Sequence, residues 1–111
     1  MRDDQARVLD ILEAIGKIER YADADHETFN RDELLQTWMV YHLQVIGEVV
    51  TQLSDAFRSR HPDLPWRAIA AMRNVLVHAY FRVDLDAVWS AVKGDLPSLK
   101  SRLQAIAGEA D

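Results

Sequence analysis

The chain has 111 residues, of which 49% are hydrophobic and 28% are charged, and its net charge is −5. This balance predicts one globular domain over residues 1–111 and excludes a disordered chain. No apolar run approaches the ~20 residues that a membrane-spanning helix needs. The absence of cysteine excludes disulfides, thiol catalysis and cysteine-ligated zinc. Met1-Arg2-Asp3-Asp4 lacks the apolar core of an export signal, so we expect a cytoplasmic protein with no membrane partner.

Two amphipathic helices are predicted in the first half of the chain. Apolar residues recur every three to four positions from Asp4 to Ala22, which indicates a first helix. The polar, acidic stretch Asp23 to Asn30 is interpreted as a loop. A second helix is expected to begin near Arg31 or Asp32 and to continue through Phe57. Its apolar residues cover more than one face, so it should pack on several neighbours or on a partner chain.

Three further helices are predicted in the second half. Pro65 suits a helix start, so a third helix should span Trp66 to His78. Asp84 is a plausible N-cap for a fourth helix that ends at Gly94. Asp95-Leu96-Pro97 should start the last helix. No strand pattern is present, so the expected fold is an all-α, up-and-down bundle of four to five helices.

The negative net charge argues against a general nucleic-acid binder, but residues 56–83 are locally basic. This segment contains one acid, Asp63, and five arginines: Arg58, Arg60, Arg67, Arg73 and Arg82. Arginine forms two parallel hydrogen bonds to a phosphate, which makes Arg67 and Arg82 candidates for RNA binding beside Arg73. The alternative is an ordinary solvated charge run.

A polar motif lies in the apolar run from Arg73 to Tyr80. Arg73 can stabilise negative charge on a phosphate, and His78 can move a proton near neutral pH. Such side chains are costly to bury without partners, although a helix in which neighbours satisfy them is the simpler alternative. The four histidines and Glu48 show no metal-ligand spacing, so neither a metal nor a cofactor is expected.

The spacing on the third helix predicts a dimer. Asn74 and His78 are four residues apart and share a face, whereas Arg73 and His78 are five apart and diverge. A homodimer in which the ends of two such helices meet at the two-fold axis would place Arg73 and His78 of both chains in one cleft.

The motif Arg73-x4-His78-x-Tyr80 resembles the signature of the HEPN superfamily, specifically its HepT-like toxin branch. The resemblance extends from about Leu43 to Leu103, and Val49 departs from it because the family usually has alanine there. Five further segments resemble the branch: Ile46-Gly47-Glu48, Pro65-Trp66-x2-Ile69, Met72-Arg73-Asn74, Tyr80-Phe81-x-Val83-Asp84, and Val88-Trp89 with Asp95-Leu96-Pro97.

The resemblance implies a homodimeric, metal-independent endoribonuclease that acts on RNA and not on DNA. It also implies the toxin of a type VII toxin–antitoxin system, silenced when a minimal nucleotidyltransferase antitoxin (MNT type) transfers AMP to the motif tyrosine. Carried over by position, Arg73 and His78 are catalytic and Tyr80 accepts AMP. Asn74 supports the site or ties down the helix end, and Glu48 supports it by pairing with a motif arginine or faces solvent.

Two other functions compete with the ribonuclease. The protein could be a non-catalytic subunit that binds a nucleotide or docks to a nucleotidyltransferase, which the acidic net charge favours. It could also be a purely structural dimeric bundle, in which Tyr80 is a packing aromatic. The ribonuclease accounts best for Arg73, His78 and Tyr80 occurring together.

Overall fold

A computed structural model describes residues 2–78 and 84–109, and these residues are helical with no strand among them. The helices are α1 (Arg2–Glu19), α2 (His26–Arg31), α3 (Glu33–Thr51), α4 (Asp55–Arg60), α5 (Trp66–His78), α6 (Leu85–Ser90) and α7 (Leu96–Glu109), and a π-helical turn (Ala91–Asp95) joins the last two. The predicted all-α fold is confirmed. Within the described ranges, no helix is long and apolar enough to cross a membrane.

Helix α3 is the centre of the bundle. It packs against α1 on one side and α5 on the other, and α7 closes against α1. Its buried residues Met39, Leu43, Ile46 and Val50 form the middle of the apolar core. Asp4 near the start of α1 contacts Ser54 just after α3, while Lys17 near the end of α1 contacts Trp38, so α1 and α3 are antiparallel.

The segment interpreted as a loop, Asp23 to Asn30, contains most of α2, so that prediction was wrong. The Asp25 carboxylate caps the helix by accepting the Thr28 N–H at 2.8 Å, and this hydrogen bond lowers the pKa of Asp25. Phe29 is buried and packs against Trp89 with ring centroids 5.3 Å apart. A single buried aromatic therefore anchors a helix whose other residues are mainly polar.

The second predicted helix, expected to continue through Phe57, ends instead at Thr51, and α4 begins at Asp55. Ser54 interrupts the helix because its side chain accepts the Phe57 N–H at 3.1 Å as an N-cap. The Asp4 carboxylate in turn accepts the Ser54 N–H at 2.8 Å and the Ser54 hydroxyl at 2.7 Å. The break thus depends on a buried carboxylate 50 residues earlier in the chain.

The predicted stop at Gly94 was also wrong, because the chain stays helical from Leu85 to Glu109 through the π turn. None of the described glycines has a positive φ, so Gly94 does not take the conformation that ends helices. Pro97 lacks an N–H for the preceding turn, and the wider turn just before it accommodates that missing donor.

We predict that Asp4→Ala destabilises the fold by about 1–3 kcal/mol at neutral pH, because Ser54 loses both of its acceptors. Burial alone would raise the pKa of Asp4, but the Ser54 hydrogen bonds and the Arg60 charge outweigh it and bring the pKa below its usual 3.8. A lowered carboxyl pKa stabilises the protein above the unfolded-state value, and the benefit is lost as pH falls through the folded-state value.

The measurement is urea unfolding of wild type and Asp4→Ala at pH 7 and at progressively lower pH, with Asp3→Ala as the control at an exposed neighbouring position. The difference in free energy of unfolding between wild type and Asp4→Ala should become smaller as Asp4 becomes protonated. A difference in free energy of unfolding that stays constant as the pH is lowered would show that the ionised carboxylate is not the stabilising group.

Candidate functional site

Arg73 and Glu48 form an ion pair between α5 and α3. The Arg73 Nη1 donates to Glu48 Oε2 at 2.7 Å and to Oε1 at 3.3 Å, so of the two alternatives left open for Glu48 the structure shows the pairing with a motif arginine. The side chains are 41% and 52% exposed, and a pair this open to solvent contributes at most about 1 kcal/mol to stability. The pair therefore matters for where it holds the guanidinium rather than for folding.

Thr51, one turn after Glu48, completes this arrangement. Its hydroxyl lies 2.6 Å from the Glu48 carbonyl oxygen and 3.3 Å from Glu48 Oε2. An arginine carries five N–H donors, and Glu48 engages those of one terminal nitrogen. The remaining donors of a half-exposed guanidinium can bind an oxyanion while Glu48 keeps the side chain in place.

Gly47 allows α3 and α5 to approach each other closely at the same level. A Cβ at position 47 would lie 2.9 Å from the Arg73 backbone nitrogen and 3.2 Å from the Ile69 carbonyl oxygen. Neither backbone atom can move without moving α5, so position 47 has room for hydrogen alone. Gly47 thus sets the height and distance at which α5 presents Arg73 to Glu48.

The other predicted site residues lie in or beside the same helix. The backbone of α5 is continuous to His78, which places that residue about 7.5 Å along the axis from Arg73 and about 140° around it. The side chains of Asn74 and His78 are not described, and Tyr80 and Arg82 lie outside the described residues. The described structure therefore brings together Arg73 and Glu48, and it leaves the positions of the other groups as predictions.

The predicted basic segment divides into two parts. Arg58 pairs with Asp55 within α4 at 2.5 Å, and the Arg60 guanidinium lies 5.8 Å from the centre of the Phe57 ring. Arg67 is exposed on α5, about 9 Å along the helix axis before Arg73. The arginines of α4 thus have local partners, whereas Arg67 belongs to the same helix as the motif.

An apolar cavity of about 420 Å³ lies on another side of α5, between that helix and the α6–α7 arm. Leu43, Ile69, Met72, Val88 and Leu99 are among the residues that line it, and neither Arg73 nor Glu48 does. A reacting phosphate needs hydrogen-bond donors that stabilise its negative charge, and an apolar cavity does not supply them. We therefore place the candidate site at the Arg73–Glu48 pair. Within the part of the chain that the structure describes, no group of three or more metal-binding side chains occurs.

Comparison with known proteins identifies the class to which this bundle belongs. The family model described as "Ribonuclease HepT-like" matches residues 11–106, and the chain is a member of this family of ribonucleases. The match covers α3 and α5, and with them Glu48 and Arg73. The resemblance seen in the motif is therefore confirmed at the level of the family.

Individual relatives agree with this assignment. The chain is 40% identical over 98 residues to a Thermococcus cleftensis protein named "Probable ribonuclease HepT", covering 87% of this chain and 89% of the relative. It is 30% identical over 106 residues to the Methanocaldococcus jannaschii protein "Putative RNase MJ1380", covering 95% and 97%. A Caldanaerobacter subterraneus protein, "Putative RNase TTE0752", is 36% identical over 89 residues, which cover 80% of this chain and 80% of the relative. No solved structure gives a significant match.

Two contributors to the site had no assigned role in the sequence analysis. Gly47 was part of the resemblance alone, although a glycine inside an apolar helix is itself a signal of close helix approach. Nothing in the sequence pointed to Thr51, because its role is a hydrogen bond to the Glu48 side chain that exists only when α3 is folded.

We predict that Gly47→Ala destabilises the protein by about 1–3 kcal/mol, because the new methyl group would overpack the α3–α5 contact against backbone atoms. Gly16→Ala is the matched control, since a Cβ there meets nothing within 4 Å. That substitution should stabilise α1 by about 0.5–1 kcal/mol through helix propensity. Urea unfolding measures the stability of both variants. An equal gain in stability from the two substitutions would refute the close contact.

Proposed function

We propose that this protein is a metal-independent endoribonuclease that cuts RNA by attack of the 2′-hydroxyl on the adjacent phosphate. The half-exposed Arg73 guanidinium, held at a fixed place by Glu48 in a chain of the HepT-like ribonuclease family, is the observation that carries the proposal. The class of reaction follows from RNA itself, which supplies the nucleophile.

In this mechanism the 2′-oxygen forms a bond to phosphorus while the bond from phosphorus to the 5′-oxygen breaks. His78 acts in proton transfer, taking the 2′-hydroxyl proton or protonating the leaving 5′-oxygen, and water takes up or supplies the other proton. Arg73 stabilises the negative charge that grows on the non-bridging oxygens, the kind of interaction that usually contributes most to catalysis. The products are a 2′,3′-cyclic phosphate and a 5′-hydroxyl.

A homodimer is part of the proposal. Arg73 and position 78 are separated by about 140° around α5, so one copy of the helix does not aim both residues at one phosphate. Among the described helices α5 packs mainly on α3, which leaves part of its surface open for a second protomer. Arg73 of one protomer would then act together with His78 of its partner.

Control of the nuclease is proposed to act through Tyr80, two residues after His78. A nucleotidyltransferase antitoxin would catalyse attack of the Tyr80 phenolic oxygen on the α-phosphorus of ATP, with pyrophosphate leaving. The bound AMP adds bulk and a negative phosphate near Arg73, where the RNA phosphate must bind. The protein would accordingly be the toxin of a type VII toxin–antitoxin pair.

We predict that the purified protein cuts single-stranded RNA in the presence of EDTA and spares DNA of the same sequence, which lacks the 2′-hydroxyl. Arg73→Ala and His78→Ala should each lower the rate by about 100-fold or more, because each removes a group used in the transition state. Gel analysis of an end-labelled RNA measures the rate, with circular dichroism to show that each variant is folded.

Arg58→Ala is the matched control, because it removes an arginine that is paired with Asp55 on α4. It should cut at the wild-type rate. Mixing Arg73→Ala with His78→Ala protomers should restore activity through heterodimers that carry one intact composite site. A requirement for added metal, or wild-type activity of His78→Ala, would contradict the mechanism. No cleavage of RNA by the folded wild-type protein would favour the non-catalytic docking role.

We predict further that Tyr80→Phe folds, still cuts RNA and escapes the antitoxin. Phenylalanine keeps the ring and removes the oxygen that would accept AMP. Intact mass measured after incubation with the nucleotidyltransferase and ATP should show the AMP increment on wild type and none on the variant. Tyr21→Phe, the same change at an exposed residue beyond α1, should be modified like wild type. Full modification of Tyr80→Phe would place the acceptor elsewhere.

A further inference from the structure

Four aromatic rings form a continuous line on the surface shared by α1 and α3. Tyr21 meets Trp38 edge to face at 5.3 Å, Trp38 meets His42 at 4.5 Å, and His42 meets Tyr41 at 4.9 Å between ring centroids. The two ends of the line are open to solvent, with Tyr41 59% and Tyr21 50% exposed, whereas His42 is buried. We call these four residues the aromatic line.

Trp38 anchors the aromatic line. The Trp38 indole N–H donates to the Lys17 carbonyl oxygen at 2.8 Å, which fixes the indole between α1 and α3. Each ring also packs at a steep angle against its neighbour, an arrangement that aromatic pairs favour. Exposed tyrosines that are already ordered lose little entropy when a planar ligand stacks on them.

Two basic side chains lie beside the line. Lys17 and Arg20 lie close enough to His42 that their charges, after burial, lower the pKa of its imidazole. Lys17 has Glu13 at 3.6 Å, while Arg20 is exposed and forms no ion pair with any other residue that the structure describes. Exposed aromatic rings beside basic side chains are what single-stranded nucleic acids bind, through base stacking and phosphate contacts.

The Tyr41 end of the line lies on the same face of α3 as the candidate site. Tyr41 and Glu48 are seven residues apart on α3, so they occupy the same face, about 10 Å apart along the axis. Glu48 in turn contacts Arg73 at 2.7 Å. A single RNA strand with one phosphate bound at Arg73 could therefore follow this face of α3 toward Tyr41.

We propose that the aromatic line is a second contact site for single-stranded RNA, where Tyr41 stacks on an unpaired base a few nucleotides from the cut and Arg20 contacts the backbone. The proposal rests on the proposed ribonuclease function and adds a requirement to it. The substrate must be unpaired at the cut and also at the base that reaches Tyr41, because a base pair hides the stacking face.

The test is binding of a fluorescently labelled, 2′-O-methyl single-stranded oligonucleotide, which cannot be cut, measured by fluorescence anisotropy. Tyr41→Ala should weaken binding by about tenfold, within the range for loss of one base–aromatic stack. Tyr41→Phe keeps the ring and should bind within about twofold of wild type. Arg20→Gln should reduce the slope of log Kd against log salt by about 0.7, the value for one phosphate contact on a single strand.

A set of oligonucleotides with one abasic position each identifies the stacked base. One abasic position should weaken wild-type binding as much as Tyr41→Ala does, and the two changes together should cost no more than either alone. Against a fully paired duplex, Tyr41→Ala and wild type should bind equally. Tyr41→Leu, which removes the aromatic ring and keeps apolar bulk at this position of α3, is the second variant if Tyr41→Ala does not fold.

Two outcomes would overturn this inference. Binding by Tyr41→Ala equal to wild type excludes the stack, and a change in its oligomeric mass by light scattering shows that Tyr41 belongs to a protein interface. Because the probe is not cut, the assay is independent of catalysis. Tyr41-dependent binding by a wild-type protein that cuts no RNA would refute the proposed function and leave the contact site standing.

Discussion

The contact between Gly47 and the backbone of Arg73 is the constraint on which the rest of the site depends. Any side chain at position 47 would meet the Arg73 nitrogen at 2.9 Å, so the missing Cβ determines how closely α5 can pack on α3. That distance in turn lets Glu48, the next residue, reach the guanidinium at 2.7 Å. The close packing of the two helix backbones thereby fixes the position of the Arg73 guanidinium, which would be mobile as an unpaired, solvent-exposed side chain.

Much of the bundle could be predicted from the sequence. The start of α5 at Trp66 was predicted correctly, because Pro65 precedes a run with clear helical spacing. The sequence was misleading where one tertiary contact overrides local composition. Phe29 orders α2 within a polar stretch, and Asp4 helps to break a helix that would otherwise run through Phe57. Gly94 suggests a stop, yet a π turn lets the helix continue.

The candidate site could be predicted less completely than the fold. The types and order of Arg73, His78 and Tyr80 indicate phosphate chemistry, and the family assignment agrees with it. The partner of Arg73 lies 25 residues away on another helix, and local spacing alone cannot pair them. The aromatic line is similar, because Tyr21, just after α1, packs against Trp38 on α3. Such groups become visible when the packing of α1, α3 and α5 is known.

Two polar contacts of the bundle differ in how far apart their residues lie in the chain. Glu48 and Arg73 are separated by 25 residues, and Asp4 and Ser54 by 50. Doubling a loop adds only about 0.6 kcal/mol to the entropic cost of closing it. The Asp4–Ser54 loop is therefore only slightly more costly to close than the Glu48–Arg73 loop, and the Lys17–Trp38 contact between α1 and α3 spans only 21 residues. Because the break after Thr51 depends on Asp4, a chain in which α1 has not yet docked would lack one of the contacts that separate α3 from α4.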